Sequence, residues 1–314
     1  MMSDDNKNQP NDALKAFAAL HAEYMTKREE WADKDYVEKL IEKGYDETAE
    51  ELKAYRHSSI VICDKDTPEG GVPVGASKIG GLPDLPPEIE YPKMTGYTYR
   101  MKDESEDRNK TYPESAMHLV MQINLRELAE SGADIEGLFP KTGMFYIFWS
   151  GEEDEFLFDP DNDYITVNAD DPEYAHINKV IWWDGDMSTL RRTEPTLPYY
   201  EEVYDDDIGD FNEICPERMI DFDQQYDYDK NAVDEIDDLM ELLEDADEAD
   251  FIERGDKIFG LTDGGNAPEL SDDVVLLLQL DYSIGCIWTL FWIMKKDKFL
   301  ERDFSDVYLY ADCD

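Results

Sequence analysis

Ser77, Lys78, Gly80 and Gly81 open the run Ala76–Pro87, ASKIGGLPDLPP, and a lysine beside two glycines is a combination that holds anions. The ammonium supplies charge, and backbone without Cβ lets a ligand come close. The spacing is not that of a nucleotide-binding G-x-x-x-x-G-K-[ST] loop, and Pro83, Pro86 and Pro87 deny the run a following helix. A fixed structural loop is the competing reading; the ligand that fits is an anionic group or a C-terminal carboxylate. Gln122 and Gln279 form the second constellation. Each sits inside an otherwise apolar strand-like run, HLVMQINL and LLLQLDY, where an unpartnered amide costs ~1–3 kcal/mol, so both must be hydrogen-bonded. They are either structural amides tying equivalent places in two halves together or ligand-binding groups facing a shared cleft.

Asp159, Asp161, Asp163 and Asp170 fall at positions 1, 3, 5 and 12 of a calcium-loop pattern. Position 6 is Tyr164 where the turn requires Gly, so a solvated acidic loop competes with weak calcium binding. Catalytic signatures are missing. His21, His57, His118 and His176 stand in no metal-ligand spacing, and no G-x-S-x-G elbow or G-x-G-x-x-G turn occurs. Asp184 and Asp186 in WWDGDMS read as a turn in which Gly185 allows the bend. Neither a catalytic residue nor a cofactor is assigned.

The 314 residues carry 77 acidic against 29 basic side chains, a formal charge of −48. With 41% hydrophobic residues this charge lies on a folded body and not on a disordered chain. The field repels phosphate backbones and anionic lipid, which excludes nucleic acid and membrane surfaces as partners and favours a basic protein or peptide. Cys63, Cys215, Cys286 and Cys313 are scattered without a C-x-x-C pair and read as reduced thiols. The start, MMSDDNKNQPND, lacks a secretory pattern, and the apolar runs Val274–Leu280 and Cys286–Met294 are too short to span a bilayer, so the expected location is cytoplasmic.

Helical spacing runs from about Asn11 to Arg56, with Asp12 as N-cap. Strands are expected at Ser58–Cys63, His118–Leu125, Gly143–Trp149, Phe156–Phe158, Tyr164–Val167 and Val180–Trp183, with a helical turn at Leu125–Ser131. Residues 199–250 read as an acidic insertion, with an amphipathic helix over Ala232–Leu243. The predicted fold is α+β: a duplicated, mainly antiparallel sheet scaffold with an N-terminal helical arm (1–57), two strand-rich halves (about 58–198 and 251–314) and the acidic helical insertion between them.

The duplication rests on three elements kept in order. KIGGL at Lys78–Leu82 matches KIFGL at Lys257–Leu261, LVMQINL matches LLLQLDY, and each pair is followed by an aromatic run, FYIFW or WTLFWI. On these residues, above all S-K-x-G-G-x-P-x-L-P at Ser77–Pro86, the chain resembles the YwqG-like family, a domain of unknown function, over roughly residues 58–314. The resemblance implies an α+β fold and no established activity. Ile284–Trp288 (IGCIW) departs from the W-G-D-like turn expected before the last aromatic strand, which puts any site at that turn in doubt.

Three functional readings follow. The first is a non-enzymatic interaction protein offering Tyr204–Asp250 to a basic partner, for instance an immunity or antitoxin-like protein covering a nucleic-acid-attacking toxin. The second is an enzyme or small-ligand binder using a cleft near Lys78, Gln122 and Gln279. The third is a housekeeping protein whose acidity reflects habitat.

Overall fold

The computed structural model describes residues 35–95, 97–99, 110–112, 114–150, 178–199, 217–229, 236, 239–242, 255–262, 267–268, 270–281 and 288–313. The chain divides into two compact units. In the smaller, α1 (Tyr36–Lys43) and α2 (Asp46–Lys53) bury Val37, Leu40, Ala49 and Leu52, the i, i+3 stripe of each short helix. Lys43 Nζ donates to Leu242 O at 2.9 Å, at the end of a helical turn over Leu239–Leu242. Of the helical stretch expected from Asn11 onward, residues before 35 lie outside the described set.

The larger unit, 56–229 with 249–314, carries the sheet. Its strands are β1 (Arg56–Asp64), β2 (Lys78–Ile79), β3 (Asp84–Leu85), β4 (Lys93–Met94), β5 (Tyr97–Tyr99), β6 (Lys110–Tyr112), β7 (Ser115–Ala116) and β8 (His118–Asn124), followed by the helix α3 (Leu125–Ser131). Then come β9 (Met144–Trp149), β10 (Asn178–Trp183), β11 (Arg191–Arg192), β12 (Arg218–Tyr228), β13 (Lys257–Phe259), β14 (Val274–Asp281), β15 (Trp288–Lys295), the helix α4 (Lys296–Glu301) and β16 (Tyr308–Cys313). Ten of them form one sheet in the order β10-β9-β8-β2-β12-β1-β13-β14-β15-β16, with every ladder antiparallel. The fold is thus mixed α+β on a large antiparallel sheet.

The same pairings occur on both sides of the sheet centre. Lys78 of β2 faces Gln122 of β8, and Lys257 of β13 faces Gln279 of β14. The β8–β9 register slips between Leu119 and Met121, and the β14–β15 register slips between Leu276 and Leu278, at the same distance before each glutamine. The preceding strands are exchanged: β1, which comes before β2 in the chain, pairs with β13, whereas β12, which comes before β13, pairs with β2. Ile62 N donates to Asp256 O at 2.9 Å, and in the matching place Ile220 N donates to Ser77 O at 3.2 Å. At the far side the outermost strands approach one another, with Asn178 Nδ2 donating to Val307 O at 3.2 Å. One core therefore serves both halves, containing Val180 from one sheet edge and Leu309 from the other.

β12 lies within the segment read as an acidic insertion. Ile220 and Phe222 point into the core and Asp221 and Asp223 point away, so the strand alternates apolar-in, acid-out and its charge hid a central strand from a composition-based reading. The proline-rich run 76–87 likewise contributes β2 and β3, because Lys78–Ile79 precedes Pro83 and Asp84–Leu85 fits between Pro83 and Pro86. The strands expected at Phe156–Phe158 and Tyr164–Val167 lie outside the described residues.

Candidate functional site

Lys78 is fully buried. Its Nζ donates to Glu217 Oε1 at 2.6 Å and to the carbonyl of Leu82. Arg192, brought alongside by the β11–β3 ladder, donates from Nη1 to the same Glu217 oxygen and from Nε to Asp84 Oδ1 at 2.7 Å. Asp84, also fully buried, accepts at Oδ2 from Gly75 N (2.9 Å) and Gln122 Nε2 (2.8 Å). Gln122 donates further to Ala76 O and accepts from Asp84 N, so its amide is paired at both ends. Tyr146 OH closes the floor with a 2.7 Å bond to Asp84 O. Burial holds the Lys78 pKa below its ordinary value despite Glu217 and Asp84, and burial beside Asp84 raises that of Tyr146.

The second half repeats the frame with different acids. Lys257 and Asp227 are both fully buried, with Nζ to Oδ2 at 2.9 Å, and Leu261 N donates to the same oxygen at 2.8 Å. Gln279 Nε2 donates to Gly255 O at 3.3 Å, as Gln122 does to Ala76, and Asp281 N donates to Asp256 Oδ1 where Asn124 N donates to Ser77 Oγ. Phe259 takes the place of Gly80, and both lie in the left-handed region, at φ 62° and 68°. A phenylalanine there carries ~1–2 kcal/mol of strain, offset by a ring packed 5.2 Å from Phe139 and 5.5 Å from Phe299.

Of the residues singled out in the sequence, Lys78, Gly80, Gly81 and Gln122 come together in one network and Gln279 belongs to the other. β8 and β14 are separated along the sheet by β2, β12, β1 and β13, ~24 Å at ordinary strand spacing, so each amide serves its own half. Gly81 (φ +67°) lies against Glu217: a Cβ there would sit 2.8 Å from Glu217 Cβ. Asp159, Asp161, Asp163 and Asp170 lie outside the described residues. His118 is buried and stacked 4.0 Å from Tyr199, while His57 is exposed. Asp186 caps the short turn Met187–Thr189 by accepting from Ser188 N, and Asp184 accepts from Thr142 Oγ1 at 3.1 Å, so that acidic pair shapes a loop.

Asp84, Arg192 and Glu217 escaped the sequence reading, since their charged partners lie 25 to 139 residues away, and Asp227, which counts there among the acids of Tyr204–Asp250 offered to a partner, is fully buried against Lys257. One signal was available for Asp84: KIGGLPD and KIFGLTD both place an aspartate two residues after the leucine. Depressions also lie among the described residues, two of them lined as follows. One, of ≈ 260 Å³, lies beside β10 and includes Lys93, Met117 and Lys179; the other, of ≈ 360 Å³, includes Asn124, Arg126, Thr142 and Asp184. Among the described residues no group of three His, Cys, Asp or Glu is arranged to hold a metal ion, and no helix is long and apolar enough to cross a membrane.

Fold and site together define a class: antiparallel-sheet proteins in which a buried lysine and a buried glutamine face each other once in each half. A family model described as a domain of unknown function (DUF1963) matches residues 77–313, and the chain belongs to that family. No curated protein matches the sequence.

Proposed function

We propose that this protein is a non-enzymatic binding protein, built on a duplicated unit, whose acidic surface receives a basic protein or peptide. The observation that carries this reading is a charge of −48 on a folded antiparallel sheet. Supporting it, the polar groups buried at Lys78 and Lys257 are engaged by internal partners, and the described depressions are shallow. A cover for the basic surface of a nucleic-acid-attacking toxin is one concrete form. The scattered cysteines support a cytoplasmic location, and the motif at Ser77–Pro86 supports kinship with YwqG-like members of the family. No cofactor is part of this reading.

Because β12 occupies 218–228, deleting Tyr204–Asp250 would remove a central strand, and the test must neutralise charge instead. A variant carrying Asn or Gln at Asp205, Asp206, Asp207, Glu244, Asp245, Asp247, Glu248 and Asp250 should keep its unfolding midpoint. It should associate with a Lys/Arg-rich peptide about tenfold more slowly at low salt, and the difference should fade as the Debye length falls below ~10 Å. Unchanged association, or no peptide binding at low salt, assigns the acidity to habitat.

A further inference from the structure

The two lysine networks differ at one position whose meaning comes from the fold. Glu217 N-terminally flanks β12, and the place it occupies beside β2 and Gly81 is taken in the other half by Ser59, beside β13 and Gly260. An acid at that place is therefore not a requirement of the sheet. Lys257 draws its carboxylate from Asp227, within the strand, and the pair is sealed, with both side chains 0% exposed. Lys78 draws its carboxylate from a residue outside the ladder, and Glu217 and Arg192 are each 28% exposed. One oxygen of Glu217 takes both cations, seated on the Cβ-free surface of Gly81. Glu217 can withdraw without breaking a strand pair, because the ladder begins at Arg218. What remains is a lysine and an arginine converging on the place of one carboxylate, with Lys78 buried behind it and Arg192 part-exposed beside it.

We propose that the Lys78–Arg192 pair receives the C-terminal carboxylate of a basic polypeptide, with Glu217 as its resident occupant. The ligand class follows from two opposing fields. The molecule as a whole repels a free phosphate or a small dicarboxylate, yet the Lys78–Arg192 pair is cationic. A chain that is net positive but ends in one carboxylate satisfies both, being drawn in by the surface and anchored by paired charge-assisted hydrogen bonds. Asp84 stays with Gln122, Gly75 and Arg192 throughout, which keeps the guanidinium oriented while its Nη1 exchanges one carboxylate for another.

The inference rests on the basic-partner reading, and one experiment separates the two. A fluorescein-labelled Lys/Arg-rich peptide is made with a free C-terminus and again as the C-terminal amide, and binding to the full chain is followed by anisotropy at low salt. The amide is more positive by one charge, so surface attraction alone favours it, whereas the Lys78–Arg192 pair favours the free acid. The free acid should bind about threefold tighter than the amide to the native protein and about tenfold tighter to Glu217→Gln, in which the occupant is weakened. Adding Arg192→Gln to that variant should abolish the preference. Urea midpoints verify folding; should Glu217→Gln not fold, Glu217→Asp, with its carboxylate one carbon short, should show a preference between the two. Equal binding, or tighter binding of the amide, overturns the carboxylate site and leaves the basic-partner reading standing; binding of neither peptide overturns that reading and the site with it.

Discussion

The Lys257 half and the Lys78 half pair the same residue types in the same register, yet one is shut and the other is open. In the shut half the counter-charge comes from Asp227, inside the ladder, and a backbone N–H shares it. In the open half it comes from Glu217, beside the ladder, and a second cation shares it. The lysine–glutamine frame is therefore a property of the sheet, whereas the source of the acid decides whether the counter-charge is sealed or part-exposed; the lysine itself is buried in both halves. Both halves obey the rule that a buried charge is paired, and they differ in how easily the partner can leave.

The largest effect should come from removing the sealed partner. Asp227→Asn leaves the Lys257 ammonium buried without its carboxylate and should lower stability by about 3–5 kcal/mol in urea unfolding. Glu217→Gln, at an edge that water reaches, should cost about 1–2 kcal/mol. Equal losses would erase the distinction between the halves.

Glycine positions sharpen the comparison at the next level. Gly260→Ala forces φ +75° on a residue with a Cβ and places that Cβ 2.1 Å from Asp227 Oδ2 and 2.7 Å from Ser59 Cβ. A loss of about 2–4 kcal/mol is expected, since strain and overpacking combine. Gly81→Ala meets Glu217 Cβ at 2.8 Å, a milder overlap than the 2.1 Å at Gly260 and next to a residue outside the ladder, and should cost about 1–2 kcal/mol. Thermal unfolding of both variants decides it; a costlier Gly81→Ala would mean that Glu217 is held as rigidly as Asp227.

The smallest effect concerns the loop that follows α4. Asp303 accepts from Lys298 Nζ at 2.7 Å and from Ser305 Oγ and N, and these bonds, Lys298 first, hold its pKa at about 2 against 3.8. A depressed carboxylate pKa contributes stability that is present above 3.8 and is lost as pH falls through about 2. Asp303→Asn should therefore melt slightly below the native protein at pH 7, with the gap closing between pH 4 and pH 2. A gap that persists at the lowest pH would assign the effect to packing.

Much of the scaffold was legible in the sequence. β1, β8, β9, β14 and β15 announce themselves as apolar or aromatic runs, and the repeated KIxGL and glutamine-bearing strands gave the right order of elements. What stayed hidden was non-local. β12 was masked by the acids on its outer face, and the exchange of β1 and β12 leaves no trace in local pattern, because either strand could pair with either partner. Lys78 and Gln122 were visible as a cation and an amide in odd places, but the acids that saturate them come from β3 and the edge of β12, and the arginine that joins them comes from β11, which no spacing rule connects.

The exchange of β1 and β12 has a consequence for how the molecule is made. β1 closes at Asp64, yet both its sheet neighbours are encoded far downstream of it: β12 closes at Tyr228 and β13 at Phe259. At ~5–20 residues per second, the ~160 residues between β1 and the end of β12 take on the order of 10–30 s to appear. For that interval β2, β8 and β9 can assemble while β1 has no edge to join. The sheet can be completed only once β12 and β13 have both emerged, which ties the protein's arrival in its native form to segments made long after the strand they enclose.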